Sequence, residues 1–74
     1  MTNDQQELIK IFREVSNRED ISIHTNLEDI SLDSLEVLDV MAKINRQYNI
    51  EITVDDFVQS KNIMSLFEKI RATI

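Results

Sequence analysis

Ser34 is the residue whose setting in the sequence best suits a chemical role. It directly follows Asp33, and Glu36 stands three residues after that acid. At this spacing an N-cap acid and a glutamate satisfy each other's backbone amides at a helix start. Ser34 is then the first helical residue, with its hydroxyl facing solvent. A phosphodiester on that hydroxyl would meet free amide groups and the positive end of the helix dipole, an effect of about 1 kcal/mol.

The same residues also have a purely structural explanation. Ser and Asp are both common at helix starts because they cap free amide groups. Asp33 and Glu36 would moreover repel a phosphate, so Asp33 needs another use, such as coordinating the metal of a modifying enzyme or orienting the serine. The remaining serines have loop or capping roles available and no comparable setting; they are Ser16, Ser22, Ser31, Ser60 and Ser65.

No other group of residues forms a recognisable chemical site. The chain has no cysteine, so any thiol used in function must come from outside it. His24 has no second metal ligand at suitable spacing and is interpreted as a solvated loop residue. Met41, Phe57 and Phe67 are interpreted as core. Because nucleophile, base and metal ligands do not occur together, we expect no enzyme and no metal site.

Charge and composition narrow the class of protein. The 74 residues are 42% hydrophobic and 30% charged, with a net charge of -6, which predicts one folded domain over residues 1–74. The negative charge opposes binding to nucleic acid or anionic membranes and favours basic protein partners. Half of the 14 acids fall between Arg18 and Lys43, where no base occurs; they are Glu19, Asp20, Glu28, Asp29, Asp33, Glu36 and Asp39. A solvated acidic face that keeps the protein soluble is the simplest interpretation of the charge alone.

No segment of the chain resembles a membrane span or an export signal. No apolar run approaches the roughly 20 residues that cross a bilayer, and the N-terminus lacks a basic start followed by an apolar stretch. We therefore expect a cytoplasmic protein without membrane insertion. The starting Met1 and helical pattern to the last residue favour a stand-alone chain, and we expect a monomer.

Hydrophobic periodicity predicts three long helices and one short one. Apolar residues recur at spacings of three and four in a helix from about Asp4 to Ser16, in a second that begins at Ser34, and in a last one after Asn62. The inner stripe of the second is predicted to contain Leu38, Met41, Ile44 and Tyr48, and that of the last Ile63, Leu66, Phe67, Ile70 and Ile74. Thr53 caps a short helix over residues 54–58.

The segment between the first two long helices lacks a helical period. From Asn17 to Leu32 single apolar residues alternate irregularly with polar ones, which predicts a long loop anchored by those apolar side chains. A strand through residues 21–23 is the competing interpretation, but it would have no partner. The predicted fold is an all-α four-helix bundle with a long loop between helices 1 and 2.

The segment around Ser34 closely resembles that of the acyl carrier protein family. Residues 28–35, Glu-Asp-Ile-Ser-Leu-Asp-Ser-Leu, are similar to the family segment in which Asp-Ser-Leu presents the phosphopantetheine serine. Residues 37–41 resemble the family's recognition helix, and residues 48–52, Tyr-Asn-Ile-Glu-Ile, resemble the exit that follows it. The resemblance covers essentially all 74 residues.

The resemblance implies a carrier that itself catalyses nothing. It implies a 4'-phosphopantetheine arm on Ser34, flanked by Asp33 and Leu35, added from coenzyme A by a phosphopantetheinyl transferase, or holo-ACP synthase. The arm's thiol would hold acyl groups as thioesters in fatty acid, lipid or polyketide biosynthesis. Glu36 and Asp39, with Leu35 and Met41 nearby, would dock on basic patches of the transferase and of acyl- or aminoacyl-loading and acyl-transfer enzymes. Val40 and the inner helix faces would line a pocket for the acyl chain.

Some positions depart from the family pattern. Ser31 stands where many members have glycine, and Lys43, Asn45, Arg46 and Gln47 occupy a stretch that is commonly acidic in fatty acid carriers, which indicates a specialised partner set. Residues 52–57 also resemble aminoacyl and D-alanyl carriers, so that cargo is an alternative. A helical interaction module without any modification is the alternative from another class.

Overall fold

The computed structural model describes residues 3–73, and in that range it contains five helices and no extended strand. The helices are α1 (Asn3–Ser16), α2 (Leu27–Ile30), α3 (Ser34–Tyr48), α4 (Val54–Gln59) and α5 (Ile63–Thr73). The long helix α1 packs against both α3 and α5, while α4 packs against α5. The predicted all-α bundle with three long helices is confirmed. The strand considered for residues 21–23 is absent, and Asn26 and Asn62 form an isolated antiparallel bridge.

Side-chain caps mark the starts of α4 and α5 in a chain that has neither glycine nor proline. At α4 the Asp56 N–H donates to Thr53 Oγ1 over 3.1 Å, and the Thr53 N–H donates to Asp56 Oδ2 over 3.2 Å. At α5 the Ser65 N–H donates to Asn62 Oδ1 over 2.8 Å. Each bond satisfies an amide that the first helical turn leaves without a partner. The predicted caps Thr53 and Asn62 are therefore confirmed.

The long connection after α1 is fixed to the core and to α5. Ile21, Ile23 and Ile30 are buried, as predicted for an anchored loop. Its backbone also pairs with the start of α5: the Met64 N–H donates to Ile23 O over 2.9 Å. The connection contains one helical turn, α2, that the sequence did not indicate, since four residues are too short to show a period.

The core is formed by one set of apolar side chains from every helix, from the long connection and from the segment between α3 and α4. It comprises Leu8, Ile9, Ile11, Phe12, Ile21, Ile23, Ile30, Val40, Met41, Ile44, Ile52, Phe57, Ile63, Leu66, Phe67 and Ile70. The predicted position of Leu38 in this core is wrong, because its side chain is 56% exposed. The buried face of α3 passes through Val40 and Ile44, and Leu38 lies off that face. The predicted core residue Ile74 lies outside the described residues.

Within residues 3–73, three residues adopt the left-handed conformation: Asn17, Ser31 and Asn49. Ser31 has φ 59° and ψ 46° and ends α2, which turns the chain toward α3. A Cβ in this region costs about 1–2 kcal/mol, although asparagine tolerates it better than serine. Glycine, which many members of the family that this segment resembles have at this position, would adopt the same conformation without that cost.

Ser31→Gly is therefore expected to stabilise the protein. Removing the Cβ relieves the left-handed conformation, and the extra freedom of glycine in the unfolded chain cancels part of the gain. We expect a net increase of about 0.5–1 kcal/mol in the free energy of unfolding, measured by urea denaturation. A decrease would show that the Ser31 side chain itself supports the turn.

Tyr48 links the end of α3 to the start of α1. Its hydroxyl donates to Asp4 O over 2.6 Å. Burial, with the carboxylates of Asp4 and Glu7 nearby, raises the pKa of Tyr48 to about 12. The folded protein thus favours the neutral phenol more than the unfolded chain does, where the pKa is about 10. Stability from this residue is complete below pH 10 and is lost as the pH rises toward 12.

This shift can be measured directly because Tyr48 is the single tyrosine and the chain has no tryptophan. Titration followed by tyrosinate absorbance is expected to give a midpoint near 12 in the folded protein. Tyr48→Phe should remove the part of the alkaline destabilisation that this phenol causes. A midpoint near 10 while the fold is intact would contradict the burial seen here.

No helix within residues 3–73 combines the length and apolar character that crossing a membrane requires.

Candidate functional site

Ser34 is the first residue of α3, and its side chain is exposed. Asp33 before it is the N-cap, and the predicted reciprocal cap with Glu36 is present. The Glu36 N–H donates to Asp33 Oδ1 over 2.8 Å, and the Asp33 N–H donates to Glu36 Oε1 over 3.1 Å. This pair fixes the backbone on both sides of Ser34. Its hydroxyl is thereby held at a defined point outside the helix start.

The turn before Ser34 is held from the side by Arg18. One arm of its guanidinium donates to Asp29 O in α2 over 2.9 Å. The other two nitrogens bind Asp20 at 3.1 and 2.8 Å. The hydrogen bond from Arg18 lowers the pKa of the Asp20 carboxyl, and that carboxyl raises the pKa of Arg18. Arg18 thus links the long connection to the helical turn that leads into the site.

The surroundings of Ser34 leave its hydroxyl free and without an internal base. Among the described residues none forms a hydrogen bond with Ser34 Oγ, and within the same range no three His, Asp or Glu side chains group as a metal site. A serine acting as a nucleophile on its own needs an adjacent base. This arrangement instead suits a hydroxyl that an external enzyme activates and modifies.

An open cleft of about 550 Å³ lies beside the N-terminal end of α3, between α2, α3 and α4. Its apolar lining is Leu27, Leu32, Val37, Phe57 and Val58, and its polar lining is Asn26, Glu28, Ser31, Gln59, Ser60 and Lys61. Val40, which was expected to line a pocket, is fully buried and does not reach this cleft. Val37, one turn earlier on α3, lines the cleft instead.

Of the four residues expected to dock partners, two are exposed, one is half-buried and one is buried. Leu35 is 77% exposed, and Asp39 is exposed with Lys43 Nζ 4.0 Å from its carboxylate. Glu36 is half-buried and is engaged in the cap. Met41 is 8% exposed and belongs to the core, so the docking role expected for it does not fit its burial.

Sequence reasoning missed three exposed apolar residues near the site. Leu38 on α3 is 56% exposed, and Val54 and Val58 on α4 are 50% and 71% exposed. The signal for the two valines was their spacing of four residues around Phe57, which is the buried residue of α4. Large exposed apolar side chains in the described range are confined to α3 and α4, the two helices that flank the cleft.

The comparisons with known proteins agree with this geometry. The family model described as phosphopantetheine attachment site matches residues 6–70, a range that includes Ser34. A solved structure of BlmI, a type-II acyl carrier protein from Streptomyces verticillus involved in bleomycin biosynthesis, superposes with a TM-score of 0.85. That match has 10% sequence identity and covers 93% of this chain and 83% of the other, so it shows the fold alone. No curated protein matches the sequence.

The family match spans most of the chain, and the helical bundle is that of a known carrier. Members of this family hold 4'-phosphopantetheine covalently on a serine and work as carriers for other enzymes, without catalysis of their own. The chain belongs to the phosphopantetheine attachment site family.

Proposed function

We propose that Ser34 is the attachment serine and that the chain, a cytoplasmic monomer, carries acyl groups in fatty acid, lipid or polyketide biosynthesis. The observation that carries the proposal is the free, exposed hydroxyl of Ser34 at the capped start of α3, inside the matched segment. When attached, phosphopantetheine supplies the thiol that holds the cargo as a thioester, which a chain without cysteine cannot supply itself.

The residues around Ser34 fit a group attached through its oxygen. The hydroxyl is exposed and forms no hydrogen bond with any described residue, so no contact has to break. The amides at the start of α3 and its dipole favour a phosphate there. The Asp33 and Glu36 carboxylates oppose it, but both are already held by backbone amides in the cap. The cleft, whose lining includes Leu32 and Val37 on either side of Ser34 in the sequence, offers an apolar surface at this end of α3.

Asp33 has two separable roles in this proposal, as the cap of α3 and as a charge beside Ser34. Asp33→Asn keeps an oxygen that accepts from Glu36 N–H but removes the charge, and asparagine caps about as well as aspartate. We expect stability to change by less than about 0.5 kcal/mol. The transferase rate should fall about tenfold or more, because losing a contact to a charged group costs about 1.5–3 kcal/mol and each 1.36 kcal/mol is tenfold in rate. An unchanged rate would limit Asp33 to capping.

Partner enzymes are proposed to bind the exposed part of α3 around the attachment end. Leu35 supplies an apolar contact, and Glu36 and Asp39 supply negative charge for the basic patches of the transferase and of acyl-transfer enzymes. Complementary charge accelerates encounter more than it tightens the complex. Weak, fast contacts suit a carrier that must pass cargo from one enzyme to the next.

An aminoacyl or D-alanyl cargo is the second candidate, favoured by the sequence over residues 52–57. Phosphopantetheine would first be located by fragment masses of the digested protein, with Ser34 as the expected residue. The modified chain would then be offered to a malonyl transferase with malonyl coenzyme A and, separately, to an amino-acid-activating enzyme with ATP. Loading by the first alone supports the acyl proposal, whereas loading by the second alone moves the assignment to an aminoacyl carrier.

A further inference from the structure

The outward face of α3 has an ordered chemical pattern. Leu35, Asp39, Ala42 and Arg46 follow one another at spacings of four, three and four residues, and all four are exposed. These spacings place them on one stripe of the helix. Leu38 lies beside this outward stripe and is 56% exposed. The opposite face, through Val40 and Ile44, is fully buried, which fixes the direction of the stripe.

Charge changes sign along the outward stripe. The end near Ser34 is apolar, Asp39 is negative, Ala42 is small, and Arg46 is positive. Asp39 has the Lys43 ammonium 4.0 Å away, while Arg46 forms no ion pair or side-chain hydrogen bond within the described range. Arg46 follows Asp39 by seven positions, which is about 10 Å along a helix. Ala42 between them leaves room for a close approach of a second backbone.

We propose that the outward stripe binds a helix of a partner enzyme whose charges run in the complementary order, with a cation opposite Asp39 and a carboxylate about 10 Å further on opposite Arg46. Apolar side chains of that helix cover Leu35 and Leu38. The partner thus differs from a uniformly basic patch, which Arg46 repels. This inference rests on the proposed carrier function, because it describes the enzymes that receive the cargo.

Charged residues next to the outward stripe also contribute to the electrostatic potential that a partner meets there. Lys43 and Arg46 share a shallow groove of about 310 Å³ with Glu7, Lys10 and Glu14 of α1. That groove carries three cations and two carboxylates, so it adds little net charge to the end of the stripe. The outward stripe could also pair with an antiparallel second copy of itself. The net charge of -6 on each copy opposes such a dimer.

The test uses three synthetic amphipathic helical peptides of equal length that differ at two positions seven residues apart. One has Lys and Glu at these positions, one Lys and Lys, and one Glu and Glu. Binding to the full chain would be followed by amide chemical shifts at physiological salt. The Lys-Glu peptide is expected to bind about two- to fivefold more tightly than the other two. The shifts are expected along the outward stripe.

Two charge-reversal variants with the same net charge distinguish the effect of the charge order along the outward stripe from that of the net charge of the protein. In Arg46→Glu the Lys-Lys peptide should become the tightest binder. In Arg71→Glu, an equal charge change on the exposed face of α5, the wild-type order should persist. The inference would be overturned if the three peptides had the same order of affinity in both variants. It would also be overturned by chemical-shift changes outside the outward stripe or by the absence of saturable binding.

Self-association and carrier function are each measured separately from peptide binding. Concentration-dependent shifts of the chain alone would mean that a second copy covers the stripe, which also overturns the inference. The gain of phosphopantetheine by the same wild-type preparation reports carrier function independently of the peptides. A chain that is modified but shows no preference for the Lys-Glu peptide removes this inference and leaves the proposed function intact.

Discussion

Ser34→Ala is expected to accept no phosphopantetheine while keeping its fold, a complete loss of carrier function from one exposed atom. The Ser34 hydroxyl forms no hydrogen bond with the described residues, and the α3 cap is supplied by Asp33 and Glu36. Alanine is also a good helix former at this position. Thermal denaturation should shift by no more than the equivalent of about 0.5 kcal/mol. The intact mass after incubation with coenzyme A and a transferase is the measurement.

A matched control for this prediction is Ser31→Gly, which removes the nearest exposed hydroxyl on the N-terminal side of Ser34. This variant is expected to be slightly more stable and to be modified as the wild type is. Modification of Ser34→Ala, or its absence from Ser31→Gly in a folded protein, would show that the attachment serine has been assigned to the wrong residue.

Phe12→Ala is expected to have the largest effect on stability. Phe12 is fully buried in α1, and its ring stacks on Phe57 with centroids 6.2 Å apart and an interplanar angle of 21°. Replacing such a residue with alanine costs about 3–5 kcal/mol. A domain of this size has a stability near the low end of about 5–15 kcal/mol. We therefore expect the variant to be largely unfolded or to melt far below the wild type.

The contact with Phe57 gives this prediction a functional consequence. Phe57 is the buried residue that holds the six-residue helix α4 beside the cleft, so losing Phe12 should loosen α4 first. Circular dichroism with urea denaturation would measure the global loss. Leu35→Ala, which truncates a side chain that is 77% exposed, should change stability by less than about 0.5 kcal/mol. Equal stability of the two variants would contradict the core described here.

The parts of the fold predicted from sequence are those that local chemistry determines. The caps Asp33, Thr53 and Asn62 were predictable because each places a side-chain oxygen before free amides. The inner stripe of α5 was predictable because its apolar residues have one period. On α3, adjacent apolar residues at 37 and 38 fit two helix orientations, and only packing against α1 decides that Leu38 faces outward.

Other features depend on contacts that are distant in sequence. The helical turn α2 is held by Arg18 through Asp29 O and by the Leu27 N–H, which donates to Lys61 O over 3.0 Å. Neither contact leaves a period in the sequence. The left-handed conformation of Ser31 follows from the same turn.

The candidate site was predictable at its centre and less so at its edge. The exposed position of Ser34 followed from the Asp33 cap, a local feature. The burial of Met41 and the exposure of Val54 and Val58 depend on how α3 and α4 rotate toward the core. These rotations are set by packing, so the sequence alone could not predict which side chains are exposed to partners.

Acceptance of one phosphopantetheine at Ser34 is the property on which the carrier function depends. It is tested most simply by the intact mass of the purified wild-type chain after incubation with coenzyme A and a broad-specificity phosphopantetheinyl transferase, with Ser34→Ala measured in parallel. We expect a gain of one phosphopantetheine in the wild type and none in the variant. A folded wild-type chain that gains no mass would contradict the carrier function and favour an unmodified helical interaction module.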